Sequence, residues 1–175
     1  MAILGIDDFK SKLSGGGARP NLFKATVNFP GFVEGSTELT SFLCKTASIP
    51  ASTITPMKVP FRGRELVLAG DRTFAAVSLT IINDAEFNVR NAFEQWMNGM
   101  NQHQENTGEV DFNAYSADMV IEQLDKAGNT TKKYDFRGCW PSTVSEIALD
   151  YGTPDTIEEF TVTMEIQYWE SDTTS

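Results

Sequence analysis

At 175 residues with 41% apolar side chains, the chain falls in the single-domain range and is long enough to bury one substantial core. Its formal charge of -10, from 24 acidic against 14 basic residues, argues against a surface that grips nucleic acid by neutralising phosphates. It does not argue against a surface that nucleic acid slides past. No apolar run approaches the ~18 residues of a membrane-crossing helix, and the opening MAILGIDDFKSKL has no basic leader and is broken by Asp7 and Asp8, so synthesis in the cytoplasm is expected.

Residues 1–17 read as an arm on a hinge. Ile3, Ile6, Phe9 and Leu13 recur at helical spacing, and Ser14, Gly15, Gly16 and Gly17 then break regular structure. Residues 18–175 are expected to form one domain. In residues 21–29, Phe23, Ala25, Val27 and Phe29 alternate with Lys24, Thr26 and Asn28, the pattern of a half-buried strand that ends at Pro30-Gly31. Residues 39–47, holding Phe42 and Cys44, predict a second strand. Beyond it, Pro50, Pro56 and Pro60 withhold donors from any sheet ladder, so residues 48–69 predict an extended arm or edge hairpin turning at Arg62-Gly63-Arg64. Met57, Val59, Phe61, Leu66 and Leu68 are apolar there with little local core to enter.

Gly70-Asp71 predicts a turn. The strand that follows from Arg72 sets Val77, Leu79 and Ile81 on one face. Asn83 and Glu86 are spaced as a variant capping box, with Asp84 adding charge at the start of a helix to about Asn98. Val89, Phe93, Trp96 and Met100 share one face of that helix, and Gly99 is the expected stop. Residues 101–118 read as a long polar surface loop. A hairpin is expected across Ala127-Gly128-Asn129-Thr130, a further strand from Trp140-Pro141 through Val144, Ile147 and Leu149 with a bulge near Ser145, and a last strand in which Phe160, Val162, Met164, Ile166 and Tyr168 alternate. About seven or eight strands with one good helix make a mostly β fold, an antiparallel sandwich or barrel with a flanking helix.

The chain offers no convincing reaction chemistry. His103 is the sole histidine and sits in a polar loop without Cys or carboxylate at metal-ligand spacing. Cys44 and Cys139 lie in strand-like apolar context and read as reduced core residues. Gly15-Gly16-Gly17 lacks the GK[ST] of a phosphate loop, and adjacent acids such as Glu158 and Glu159 point to opposite faces of a strand. Neither a catalytic set, a cofactor nor a metal is expected. Trp140 and Trp169 leave a carbohydrate-binding β-sandwich module as a remote alternative.

Four fragments, in order and spacing, carry a resemblance: ARPNLF at 18–23, AGDRTF at 69–74, GCWPS at 138–142 and QYWE at 167–170. With the strand and helix pattern between them, the chain resembles the tail tube proteins of contractile-tailed bacteriophages. The resemblance implies a β-barrel-like subunit with an extended inter-subunit arm, assembling with itself into hexameric rings that stack as a tube inside a sheath. Its implied partners are the tail sheath protein and the baseplate and tail-terminator proteins, with DNA passing through the lumen unbound and no membrane involved. Its implied location is the virion. Residues 48–69 stand where this family's arm reaches an adjacent ring, so contact with another copy is expected at Met57, Val59, Phe61, Arg62, Arg64, Leu66 and Leu68, with Asp71 and Arg72 fixing the arm's return. Glu122 and Glu165 are candidate lumen-facing acids. The related tube of a type VI secretion or tailocin apparatus is the alternative.

Overall fold

A computed structural model describes residues 5–13 and 17–174; Ile3 and the hinge residues Ser14, Gly15 and Gly16 lie outside the described residues. In chain order the elements are α1 (Ile6–Lys12), β1 (Phe23–Val27), α2 (Thr37–Leu43), β2 (Cys44–Ala47), β3 (Ser52–Phe61), β4 (Arg64–Phe74), β5 (Val77–Ile82), α3 (Asn88–Met100), α4 (Phe112–Tyr115), β6 (Ala117–Leu124), β7 (Thr130–Val144), β8 (Glu159–Glu165) and β9 (Tyr168–Ser171). The fold is mostly antiparallel β. Because successive side chains alternate across a strand, Ala25 and Val27 of β1, Val77, Leu79 and Ile81 of β5, Met119 and Ile121 of β6, and Phe160, Val162 and Met164 of β8 meet in one buried cluster.

The sheet path runs β1-β6-β7-β8-β5-β2, with β9 also on β7. β7 organises it. Its first half pairs with β6 and β9, its second half with β8, so one strand of 15 residues serves two parts of the sheet. The bend falls at Gly138, whose φ of +60° suits glycine and whose missing Cβ makes room for Gln167 and Phe112. Separate strands were expected on either side of Trp140-Pro141; a glycine kink instead turns the strand without ending it, and the ladder shifts register between Pro141 and Thr143. Opposite the bend, the last alternating run is interrupted between β8 and β9, where the Gln167 N–H donates to the Arg137 carbonyl at 3.1 Å.

The helical face of α3 buries Val89, Ala92, Phe93 and Trp96. Phe29 meets Phe93 and Trp96 edge-on at 5.4 and 5.7 Å. The Trp96 Nε1–H donates to the Tyr115 carbonyl at 2.6 Å, tying the segment after α3 to the core. That segment contains α4, capped by the Asp111 carboxylate, where a loop was expected. α3 begins later than expected because Asn83 is engaged elsewhere: its side chain donates to Glu158 Oε2 at 3.0 Å, and Asp84 alone serves the helix by accepting from the Asn88 N–H at 3.1 Å. Gly99 is not the stop either. It lies inside α3 against the ring of Phe32, too close for a Cβ.

Residues 39–47 correct the expectation of a single strand. Ser36 accepts from the Leu39 N–H at 3.1 Å and Glu38 follows in the first turn, so residues 37–43 wind as α2 before β2 begins. α1 forms at its predicted place but buries none of its residues, leaving Ile6 and Phe9 exposed.

Ser36→Ala removes the cap of α2 and is expected to lower unfolding free energy by about 1 kcal/mol in denaturant titration. Asp84 sets an acid limit. Burial alone would raise its carboxyl, but the N–H groups of Asn88 and Val89 and the Asn88 amide outweigh this and hold it below the ordinary 3.8. A folded-state value below the unfolded one means the contribution is complete above about pH 3.8 and is lost as pH falls through the lowered value. Asp84→Asn is therefore expected to flatten the acid limb of stability against pH, measured by titrations between about pH 5 and 2.

Candidate assembly surface

β3 and β4 form a two-stranded sheet of their own, and neither strand has a buried residue. The chain reverses through Arg62 (φ +44°) and Gly63 (φ +82°), a two-residue turn with both central residues left-handed, matching the twist of the flanking strands. The pairs Phe61↔Arg64, Val59↔Leu66 and Met57↔Leu68 then place Met57, Val59, Phe61, Leu66 and Leu68 on one face, with Arg64 beside them. The opposite face carries Pro56, Lys58, Pro60, Glu65, Val67 and Ala69, with Lys58 and Glu65 paired at 3.1 Å. The five apolar residues are between 41% and 68% exposed. A lone hairpin is marginal in water, and a contiguous apolar face of this kind marks an interaction surface. At the tip, the Arg62 guanidinium lies 5.4 Å from the centre of the Phe61 ring.

The stretch AGDRTF is not a turn between strands. It lies within β4, and the register passes from Pro56↔Ala69 to Ile54↔Arg72, leaving Gly70 and Asp71 opposite Thr55. A Cβ at position 70 would stand 2.6 Å from the Thr55 carbonyl oxygen, so glycine is required by a backbone atom that has little room to yield. Asp71 and Arg72 are exposed, and among the described residues neither makes an ion pair or a side-chain hydrogen bond. The return to the body is fixed by other groups. Phe74 meets Trp169 edge-on at 6.1 Å, Trp169 meets Tyr134 at 5.6 Å, and the Ala75 N–H donates to the Ala51 carbonyl at 3.2 Å.

Charge divides between hairpin and body. β3 and β4 hold Lys58, Arg62, Arg64 and Arg72 against Glu65 and Asp71, with Arg62 in the turn, a net of +2; the rest of the chain therefore carries -12, that is -10 less +2. On the body, Glu122 lies in register with Lys24 and Lys133 and accepts from Thr130 Oγ1 at 3.2 Å. Glu165 lies in register with Trp140 and accepts from Ser142 Oγ at 3.2 Å. Asp118 and Arg137 pair at 2.5 Å, and that hydrogen bond and charge raise the Arg137 guanidinium further. Burial pushes the Cys44 thiol up to about 11 and the Cys139 thiol up to about 12, so both are protonated and unreactive at neutral pH. His103 sits exposed in the loop after α3. Among the described residues no cluster of three or more His, Cys, Asp or Glu has the spacing to hold a metal, and no helix is long and apolar enough to cross a membrane.

The sequence model of the phage tail tube protein family matches residues 18–172. The chain belongs to the phage tail tube protein family. It is 32% identical over 158 residues to tail tube protein gp19 of Enterobacteria phage T4, covering 90% of this chain and 93% of that one. It is 31% identical over 160 residues to the tail tube protein of Serratia phage KSP90, covering 89% and 90%. Its fold is similar to a chain of the PVC sheath-tube complex of an extracellular contractile injection system (TM-score 0.67, 13% identity, covering 93% and 96%). It is equally similar to a chain of the anti-feeding prophage tube-terminating cap (TM-score 0.67, 16% identity, covering 91% and 92%).

Within this tail tube protein, the sequence located the apolar residues of the arm but not the face they share. The prolines that predicted the edge hairpin also hold its register, because proline fits only at ladder positions whose N–H points outward, which puts Pro56 and Pro60 on the face opposite Met57, Val59 and Phe61. The need for Gly70 carried no such signal, since the approach of Thr55 is made across the hairpin. Gly70→Val is expected to leave the thermal unfolding of the body unchanged while speeding amide exchange in residues 52–74 about tenfold, read by mass spectrometry after deuterium labelling.

Proposed function

We propose that the chain is the structural subunit of the inner tube of a contractile phage tail, assembling with its own copies into hexameric rings that stack as a conduit for DNA. One observation carries this reading: an amphipathic hairpin whose apolar face has no partner in its own chain and whose charge is opposite to that of the body. Apolar burial contributes about 25 cal/mol per Å², against an association cost of about 4–15 kcal/mol, so a single hairpin contact gains most when each subunit makes several contacts at once. A stacked tube supplies them. The outer surface meets a sheath protein, and the ends meet baseplate and terminator proteins, parts that the related assemblies also possess by name.

The excess of carboxylates suits a wall that DNA passes without adhering, over the ~8 Å reach of unscreened charge at physiological salt. Glu165 is better suited to that wall than Glu122, because Glu122 stands between two lysines in register. Phage tail tube proteins are related by sequence over nearly the whole chain, whereas the likeness to injection-system tubes is one of fold. A sugar-stacking role is disfavoured: Trp140 is half-buried against the core and Trp169 is packed between Tyr134 and Phe74.

The double substitution Val59→Lys, Leu66→Lys tests the reading. Both side chains are exposed, so the isolated subunit should melt as before, while electron microscopy should show no tubes with or without a nucleating baseplate. Tubes of normal length and yield would overturn it.

A further inference from the structure

The two edges of the β3–β4 hairpin are not equivalent. In an antiparallel pair the residues flanking a two-residue turn exchange both ladder bonds, and alternate pairs turn their N–H and C=O groups outward. With Phe61↔Arg64 next to the turn, the bonded pairs are Phe61/Arg64, Val59/Leu66 and Met57/Leu68; the outward ones are Pro60/Glu65, Lys58/Val67 and Pro56/Ala69. Along β3, two of these three outward positions are proline. Only Lys58 retains a donor there, which leaves that edge over residues 56–60 with one outward N–H in place of three and poorly able to accept a further strand. Along β4, Glu65, Val67 and Ala69 present three successive outward N–H groups.

We infer that the outer edge of β4, residues 65–69, is the edge through which the hairpin adds as a strand to a second copy of this chain, and that Pro56 and Pro60 close the β3 edge against the same pairing. The inference rests on the tube reading and specifies its geometry. A second copy is the occupant because the body carries -12 against the hairpin's +2 and because its sheet path ends on β1 and β2, end strands that each have one strand partner. With one competent edge per hairpin, each copy is extended in one sense only, so growth is directional and stray edge-to-edge aggregation through β3 is suppressed.

Lys58 and Val67 face each other in one outward pair, which makes them matched probes. Val67→Pro removes a donor from the β4 edge and Lys58→Pro removes one from the β3 edge; neither touches a ladder bond inside the hairpin, and the only other loss is the exposed Lys58–Glu65 ion pair, worth about 0–1 kcal/mol. Val67→Ala keeps the donor and shortens the side chain. With purified full-length chain seeded by baseplate, Val67→Pro is expected to raise the critical concentration for tube growth about tenfold or more, and Lys58→Pro and Val67→Ala to leave it within about twofold of the parent. Equal effects of the two prolines, whether both block growth or neither does, would overturn the inference. So would an equal loss with Val67→Ala, which would assign the effect to the side chain. If the Val59→Lys, Leu66→Lys chain also forms normal tubes, the tube reading itself fails; if that chain forms none while Val67→Pro grows normally, the edge assignment alone fails.

Discussion

Every β-strand has two sides, and the N–H and C=O groups on each must be bonded to another strand or left to water. The arrangement of this chain follows from how each side is satisfied. β7 is bonded along both sides over much of its length, by β6 on one and by β9 and then β8 on the other, and the core collects against it. β3 and β4 are bonded only to each other. The body thus holds its buried cluster against bonded strands, whereas the hairpin's apolar face stands exposed. Those two conditions separate what stabilises the subunit from what is proposed to assemble it.

The separation has an energetic basis. The buried cluster draws on β1, β5, β6, β7, β8 and α3 and owes nothing to residues 52–61. A change on the exposed hairpin face is therefore expected to leave folding of the body largely untouched, whereas a change in Phe93, Trp96 or Phe136 removes fully buried volume and is felt throughout. The hairpin gains little order from its own chain: a tight left-handed turn, one exposed ion pair and a glycine-dependent bulge. Exposed ion pairs contribute about 0–1 kcal/mol, so in the proposed tube a second copy would do most of the ordering.

Much of the fold was legible because strand alternation is a strong local signal: β1, β5, β8 and the buried face of α3 follow directly from it. The arm was legible for a different reason, since prolines and unburied apolar residues together leave few other fates. What escaped were features decided by contacts distant in the chain. The predicted cap at Asn83 failed because Glu158, 75 residues away, takes its side chain. The predicted stop at Gly99 and the predicted turn at Gly70 misread glycines that serve close approach, to Phe32 and to Thr55, in place of chain reversal. α2 was overlooked although its Ser36 cap and Glu38 were in plain view, because a short helix and a short strand share the same apolar count.

The route from hairpin to body also sets how a pull is borne. A tug on the arm runs along the backbone into β2 at Ala47 and β5 at Val77, while the Phe74, Trp169 and Tyr134 rings brace its exit against β9 and β7. β5 is bonded to β2 on one side and to β8 on the other, and β8 passes the load to β7, which is gripped by one set of neighbours before the kink at Gly138 and by another after it. Tension entering there is shared by many ladder bonds sheared side by side, in the way a lap joint outlasts a zip. A subunit built like this is suited to a cylinder that must be driven forward under load without its own walls coming undone.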